Sequence, residues 1–520
     1  MYYKKLGFEW NRYETLAELL RDTCEKHSDL VVFSWKKGRK TIEKTYKEFE
    51  NDLLMMAGKI SALNAEHIGI VNDISYECIL TLFAVIVAGK VAVPLEAFQS
   101  RELYEKSVKK ADIELILYKQ STMDEKPENC KTLQFQELYA GETEAFLEWQ
   151  TWERDRPACI FFTSGTFGEK NCVLLSQLNL ATTNAVFHGP GKLKRQSETV
   201  WFLPFYHVLA FSGMVACFAG GYKIHLGKGI KYFQIELLEY HPDFILSVPL
   251  VSELLMQGIQ KAIKESGKED SVEKGIRLTK WLWKLFWKFE VDIRPSVFKE
   301  IYDGLGGRLR IMTVGGAPIS HETVNFFEDF GIYLLNGYGM TETSGVIAQN
   351  TLLCKENGSA GIVLPYNEVK IVDGEIWVRG DNVMLGYYKD EEATARVMED
   401  GWLKTGDLGR LDKDGYLYIT GRKKNLIILS NGVNVSPEEI EEELMKSPGI
   451  AEVIVREKNE HIHAEIYAGE FEETEEKEIR NQIGEVIQTF NHSNAVYTRI
   501  VSWELRKEPF EKTTTLKIKR

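Results

Sequence analysis

The sequence predicts a large layered α/β body with largely parallel sheets, then a β-rich subdomain and a compact α+β terminal domain. Three features predict it. Short β-rich runs alternate with longer helical patterns through the first 340 residues, an order that sets helices against the faces of parallel sheets. From Val369 the texture changes to closely spaced strands separated by Asp-Gly turn signals. Beyond Gly421-Arg422-Lys423-Lys424 about a hundred residues remain, enough for one small domain.

Apolar runs at 68–71, 115–118, 199–203 and 244–248 read as strands of the body. The longest apolar run, 78–88, ends at Gly89-Lys90. It is too short for a bilayer, which needs about 20 residues, and reads as a buried helix feeding the strand Val91-Ala92-Val93. Strands follow at 370–372, 375–378 and 415–419, with turns at Asp373-Gly374 and Asp414-Gly415. In the terminal domain Ser436 is placed to cap a helix that carries Pro437 in its first turn. Further strands are expected at 450–455 and 461–467, and the acidic run 470–478 reads as a solvated loop and helix start.

Composition narrows the function classes. Hydrophobic residues at 44% and charged residues at 27% are globular values for a chain of 520 residues, too long for one ordinary core. A formal net charge of −13 argues against a nucleic-acid partner, which needs a broad basic surface. The seven cysteines form no C-x-x-C pair, and their odd count fits free thiols in a reducing compartment. The N-terminal residues lack the apolar core of a signal peptide, so a cytoplasmic location is expected.

Chemistry concentrates first at Thr163-Ser164-Gly165-Thr166-Phe167-Gly168-Glu169-Lys170, directly after the strand-like Cys159-Ile160-Phe161-Phe162. Glycines let backbone N–H groups approach an anion, hydroxyls add donors, and a cation neutralises charge. This loop is built to hold phosphate. Further along lie Pro204-Phe205-Tyr206-His207, Gly315-Gly316-Ala317-Pro318, Asn336-Gly337-Tyr338-Gly339-Met340-Thr341-Glu342, Thr405-Gly406-Asp407 and the basic stretch Lys512 to Arg520. Taken with Gly421-Arg422-Lys423-Lys424, this ordered series resembles the motifs of the adenylate-forming, AMP-binding enzymes, and within them the acyl-CoA synthetases of the long-chain fatty acid type.

That resemblance implies a domain boundary, with residues 1–423 as the large AMP-binding domain and 424–520 as a small mobile domain that turns about Lys424. It implies ATP, Mg²⁺ and CoA as cofactors. Thr163, Ser164, Gly165, Thr166, Gly168 and Lys170 would hold the β- and γ-phosphates. Gly337, Tyr338 and Gly339 would face adenine on one side and Gly316, Ala317 and Pro318 on the other. Glu342 would coordinate the metal, Thr341 would touch the α-phosphate, and Asp407 with Arg422 would take the ribose hydroxyls. Lys517 stands at the position of the family's catalytic lysine, and Gly432 would lie near a CoA tunnel.

The chain departs from the family pattern in places. The phosphate loop usually continues Pro-Lys-Gly, and Lys170-Asn171-Cys172 stand there instead. Phe167 replaces a hydroxyl residue, and Leu516 stands where glycine usually precedes the lysine. His207 occupies the place of the aspartate that pairs with an ammonium in relatives activating amino acids, and the adjoining Val208-Leu209-Ala210-Phe211 favours a hydrophobic acid. The expected reaction is formation of an acyl-adenylate and then a thioester with CoA or an acyl carrier protein; a non-catalytic acyl or nucleotide binder is the alternative. An extension at 278–289, where Trp281, Trp283 and Trp287 alternate with lysines, suits either packing on the body or peripheral membrane contact.

Overall fold

The computed structural model describes residues 11–140, 148–164, 170–185, 193–286, 292–352, 354–428, 434–447, 449–458, 461–469, 475–494, 498–512 and 518. The chain divides into two compact units, one of residues 1–319, 323–368 and 378–403, the other of residues 320–322, 369–377 and 404–520.

In the first unit one sheet orders Ile362–Val363, Ala348–Gln349, Tyr333–Tyr338, Ile311–Val314, Phe244–Ser247, Glu198–Trp201, Lys223–Leu226, Val31–Lys37 and Lys40–Thr45. The run from Tyr333–Tyr338 to Val31–Lys37 is parallel, as the alternation of strand and helix patterns predicts. The other sheet orders Gly386–Tyr387, Lys170–Ser176, Pro157–Ser164, Val91–Leu95, His67–Val71, Leu115–Tyr118 and Lys131–Gln134. Its last five strands are parallel. Pro157–Ser164, however, returns as Lys170–Ser176 in an antiparallel hairpin with Ser164 opposite Lys170. The phosphate-loop residues 165–169, which lie outside the described residues, therefore connect two paired strands.

The helix expected at 78–88 is Tyr76–Val87, buried at every residue but Glu77. A helix that is apolar all round can only be covered on all sides. Ser75 caps it by accepting from the Cys78 amide, and Phe83 meets the rings of Phe49, Phe211 and Phe218 at 5.9–6.2 Å edge-on. Those partners come from the helices Tyr46–Ser61 and Val208–Ala219, so one aromatic core ties three helices together. Thr45 and Glu48 close a reciprocal capping box at the start of Tyr46–Ser61. Residues 278–286 of the extension belong to a longer helix, Glu269–Phe286, and 287–289 lie outside the described residues. Its Val272 and Ile276 pack on the core while Leu278 and Trp281 are exposed. Among the described residues no helix is long and apolar enough to cross a membrane. All seven cysteines are free thiols.

In the second unit the strand Trp402–Leu411 pairs antiparallel with Leu417–Arg422, from Asp407 opposite Arg422 to Leu411 opposite Leu417. Asp373 and Gly374 both take positive φ, 49° and 80°, as the Asp-Gly turn signal requires. Further on, Glu452–Lys458 and Ile500–Arg506 flank His461–Tyr467, and the helices Pro437–Met445 and Glu476–Ser493 contribute Ile440, Leu444, Ile483 and Ile487 to a separate core. The strand expected at 450–455 begins at Glu452 because the ladder starts with Glu452 opposite Tyr467. Ser436 sits at the cap position but does not cap: its hydroxyl donates to Thr420 O at 2.8 Å.

Gly89 turns from the buried helix to the next strand with φ +74°, and a Cβ there would stand 2.5 Å from the Trp152 ring. Trp152 is held by its Nε1 donating to Val87 O at 3.1 Å. Gly89→Ala is expected to lower unfolding stability by about 2 kcal/mol in urea titrations, against about 1 kcal/mol for Gly38→Ala, where φ is +63° and the space is open.

Candidate active site

The C-terminal ends of adjacent parallel strands are where an α/β sheet presents its loops to a ligand. Ile311–Val314 and Tyr333–Tyr338 are such neighbours, with Val314 opposite Asn336, so Gly315-Gly316-Ala317-Pro318 leaves the sheet beside Gly337-Tyr338, which end the next strand, and Gly339, the first residue beyond it. Gly316 has φ +86°, a left-handed conformation that favours glycine. At Gly339 a Cβ would stand 2.4 Å from Gly345 O, so only glycine lets the chain fold back on itself here. Tyr338 is half-buried beside them.

That fold-back builds the short turn Thr341–Thr343. Thr343 closes it by accepting from the Met340 amide at 3.1 Å and donating to Met340 O. Glu342 on this turn is 7% exposed, and its Oε1 accepts from the Tyr387 hydroxyl at 2.9 Å. Burial and the neighbouring carboxylate raise the Tyr387 phenol well above its ordinary value, so it remains a donor. The segment 381–387 clamps the turn from the other side. Met384 N donates to Glu342 O, Asn382 Nδ2 donates to Thr343 O and Val346 O, and Ser344 Oγ donates to Asn382 O, all at 2.9–3.0 Å. Ser212 from the helix Val208–Ala219 donates to Ser344 O at 2.5 Å. A hard divalent cation takes oxygen ligands, and an anchored buried carboxylate next to the Thr341 hydroxyl fits Mg²⁺.

His207 is the residue before the helix Val208–Ala219 and is half-buried, with the Tyr206 ring 4.3 Å away. Burial, with Glu96 adding to it, pushes the Tyr206 phenol up to about 12. Thr163 stands opposite Asn171 at the mouth of the hairpin. Ser164 and Lys170 are placed by backbone pairing alone; Gly165, Thr166 and Gly168 lie outside the described residues.

In the second unit Asp407 is 3% exposed and its Oδ1 pairs with Arg422 Nε at 2.7 Å across the strand register. Gly406 takes φ +72° and its amide donates to Glu375 Oε1 at 3.0 Å, while Lys423 Nζ lies 2.8 Å from Glu375 Oε2. Arg422 thus has a structural partner before any ligand is considered. Lys424 lies in the exposed turn Lys423–Asn425; Gly432 and Lys517 lie outside the described residues.

Sequence reasoning missed Tyr387 and the 381–387 clamp. No local pattern marks them, because Tyr387 acts on a residue 45 positions away. His463 is 3% exposed, with Glu465 and Glu504 around it in a cluster of metal-ligand type. Arg456 and Arg506 already pair with Glu465 at 2.7 and 3.2 Å, and His463 Nδ1 bonds Ser502 Oγ at 2.7 Å, so the cluster is balanced without a cation.

Two largely parallel sheets with helices between their strands, followed by a small α+β domain, match the adenylate-forming fold. Residues 20–388 match the AMP-binding enzyme family, and residues 424–520 match the AMP-binding enzyme C-terminal domain. The chain belongs to the AMP-binding enzyme family. It is 32% identical over 311 residues to a long-chain-fatty-acid–CoA ligase of Mycobacterium bovis, covering 58% of this chain and 52% of that one. It is also 33% identical over 365 residues to a chloroplastic long-chain-fatty-acid–[acyl-carrier-protein] ligase of Arabidopsis thaliana, covering 58% and 50%. The chain thus spans about half the length of these relatives. Among solved structures it is similar to the O-succinylbenzoate coenzyme A synthetase of Bacillus subtilis in complex with AMP, with a TM-score of 0.73, 22% identity and 96% of each chain covered.

Arg422→Ala removes that counter-charge from a buried carboxylate and is expected to lower stability of the second unit by about 2 kcal/mol in chemical denaturation. The double variant Asp407→Asn/Arg422→Ala should lose less, because no buried charge is left behind.

Proposed function

We propose that this chain is an ATP-dependent acid–thiol ligase that converts a hydrophobic carboxylic acid, of the medium- to long-chain fatty acid class, to acyl-AMP and then to acyl-CoA. The observation that carries the reading is Glu342, a carboxylate 7% exposed and fixed at 2.9 Å by Tyr387, on the turn that leaves the Gly337-Tyr338-Gly339 loop. The names of the relatives support the substrate class, and Leu209, whose side chain would meet a Cβ at Gly315 at 3.2 Å and one at Gly316 at 3.6 Å, supplies apolar surface beside the strand-end loops.

In the first half-reaction a carboxylate oxygen of the acid attacks the α-phosphorus of ATP, the bond from that phosphorus to the bridging oxygen breaks, and pyrophosphate leaves. Catalysis is alignment and neutralisation of negative charge. Residues 163–170 receive the β- and γ-phosphates, Tyr338 and Gly316–Pro318 hold adenine, and Asp407 accepts from the ribose hydroxyls. Thr341 donates to the α-phosphate. Glu342 with its Tyr387 anchor would hold Mg²⁺, which supplies charge neutralisation at the phosphate oxygens when bound. Lys517 places an ammonium beside the attacked phosphorus. In the second half-reaction the thiol of CoA attacks the acyl carbonyl carbon, AMP leaves, and the thiol proton passes to solvent. The small domain, 424–520, turns about Lys424 between the two, withdrawing Lys517 and bringing Gly432 to the thiol path.

The carrier-protein reading rests on the Arabidopsis relative, whose named acceptor is an acyl carrier protein. Supplying CoA and holo-carrier separately decides between them. Peripheral membrane contact rests on Glu269–Phe286, whose Trp281 is 59% and Leu278 52% exposed while its other face packs on the core. The free thiols support a cytoplasmic location.

Isotope exchange from pyrophosphate into ATP should depend on added fatty acid. Its absence across a panel of lipophilic acids, with the protein folded, rejects the reading. Lys517→Ala should slow exchange by about a hundredfold or more while thioester formation from preformed acyl-AMP changes little; equal losses reject its assigned role. Replacing Trp281, Trp283 and Trp287 by Ser should release the protein from co-sedimenting liposomes, and unchanged co-sedimentation removes membrane contact through this helix.

A further inference from the structure

We propose that Tyr387, held in turn by Asn171, is the positioning residue that aims Glu342 at a divalent cation, and that Asn171 makes nucleotide binding here lean more heavily on that cation than the family pattern does. The proposal rests on the nucleotide reading of the site above.

Three observations carry it. The Tyr387 hydroxyl donates to Glu342 Oε1 at 2.9 Å, and the Asn171 side chain acts on the same phenol, opposing the rise of its pKa. The sheet explains why they meet. Lys170–Ser176 runs between Pro157–Ser164 and Gly386–Tyr387, with Thr163 opposite Asn171 on one side and Tyr387 opposite Val173 on the other. Asn171 and Val173 are two apart in one strand and share a face, so Asn171 is the diagonal neighbour of Tyr387. The exit of the phosphate loop is thereby wired to the metal carboxylate through two side chains. Tyr388 N donates to Cys172 O at 2.8 Å and fixes the register of that wiring.

The third observation is chemical. Asn171 stands where the family's Pro-Lys-Gly pattern places a lysine. An amide orients the phenol as a lysine could, but it brings no charge. An ammonium at this position would attract both Glu342 and the phosphates; here the lysine stands one place earlier, as Lys170, so the loop keeps its charge but the residue beside Tyr387 and Glu342 is a neutral donor. The lost attraction falls on the metal, and the rigidity of Glu342 then sets how well the metal is held.

Isothermal titration with α,β-methylene-ATP, which cannot release pyrophosphate, tests this without turnover. The parent chain is titrated in magnesium and in EDTA, and the ratio of the two Kd values measures reliance on the cation. Tyr387→Phe should weaken binding in magnesium by about tenfold while leaving binding in EDTA nearly unchanged. Asn171→Lys should tighten binding in EDTA by about tenfold and narrow the ratio. Parallel shifts in both buffers, the mark of a purely structural role, overturn the proposal, as does a ratio unchanged in both variants. No binding by the parent chain in either buffer overturns the nucleotide reading itself and this proposal with it.

Discussion

A carboxylate taken out of water must be met by donors or by a cation, and beside the strand-end loops the residue under that constraint is Glu342. Much of the surrounding architecture follows from meeting it. The turn Thr341–Thr343 has to double back, which puts Gly345 O against Gly339 and excludes any side chain there. The segment 381–387 has to cross from the other sheet to bring Asn382, Met384 and Tyr387 to the turn. Ser212, in the helix that begins after His207, ties the same turn to the core. Tyr387 thus meets the carboxylate itself, while Met384, Asn382 and Ser212 hold the backbone carbonyls of the turn that carries it.

The second unit meets a similar constraint differently. Asp407 is as deeply buried as Glu342, but its partner is a cation, Arg422, set opposite it by strand pairing. The pair keeps one carboxylate charged and oriented while half of Arg422 remains in solvent. Glu375 uses the same device with Lys423 and the Gly406 amide. The two environments differ in the partner they provide: a neutral phenol at Glu342 Oε1 and a guanidinium at Asp407 Oδ1.

The fold was largely legible in the sequence because its signals are local. The all-apolar run at 78–88 could only be a buried helix, and Asp373-Gly374 could only turn with positive φ. The adenylate-forming motifs were legible for the same reason: each lies within a few consecutive residues. What could not be read was anything decided across distance. The hairpin that follows Ser164 depends on pairing between strands, and the burial of His463 depends on the sheet that covers it. Ser436 looked like a cap, yet its oxygen accepts from no helix amide and its hydroxyl is turned to Thr420 O. Tyr387 is the clearest case, since nothing in Gly386-Tyr387 announces a partner in the Thr341–Thr343 turn.

In the proposed reaction the oxygen of an organic acid attacks the first phosphorus of ATP. A lipophilic acid labelled with ¹⁸O in its carboxylate, incubated with the protein, ATP, magnesium and CoA, reports that event directly by mass spectrometry of the nucleotide. The account predicts one ¹⁸O in the AMP released with each thioester. Label in inorganic phosphate, with ADP as the nucleotide product, would contradict it.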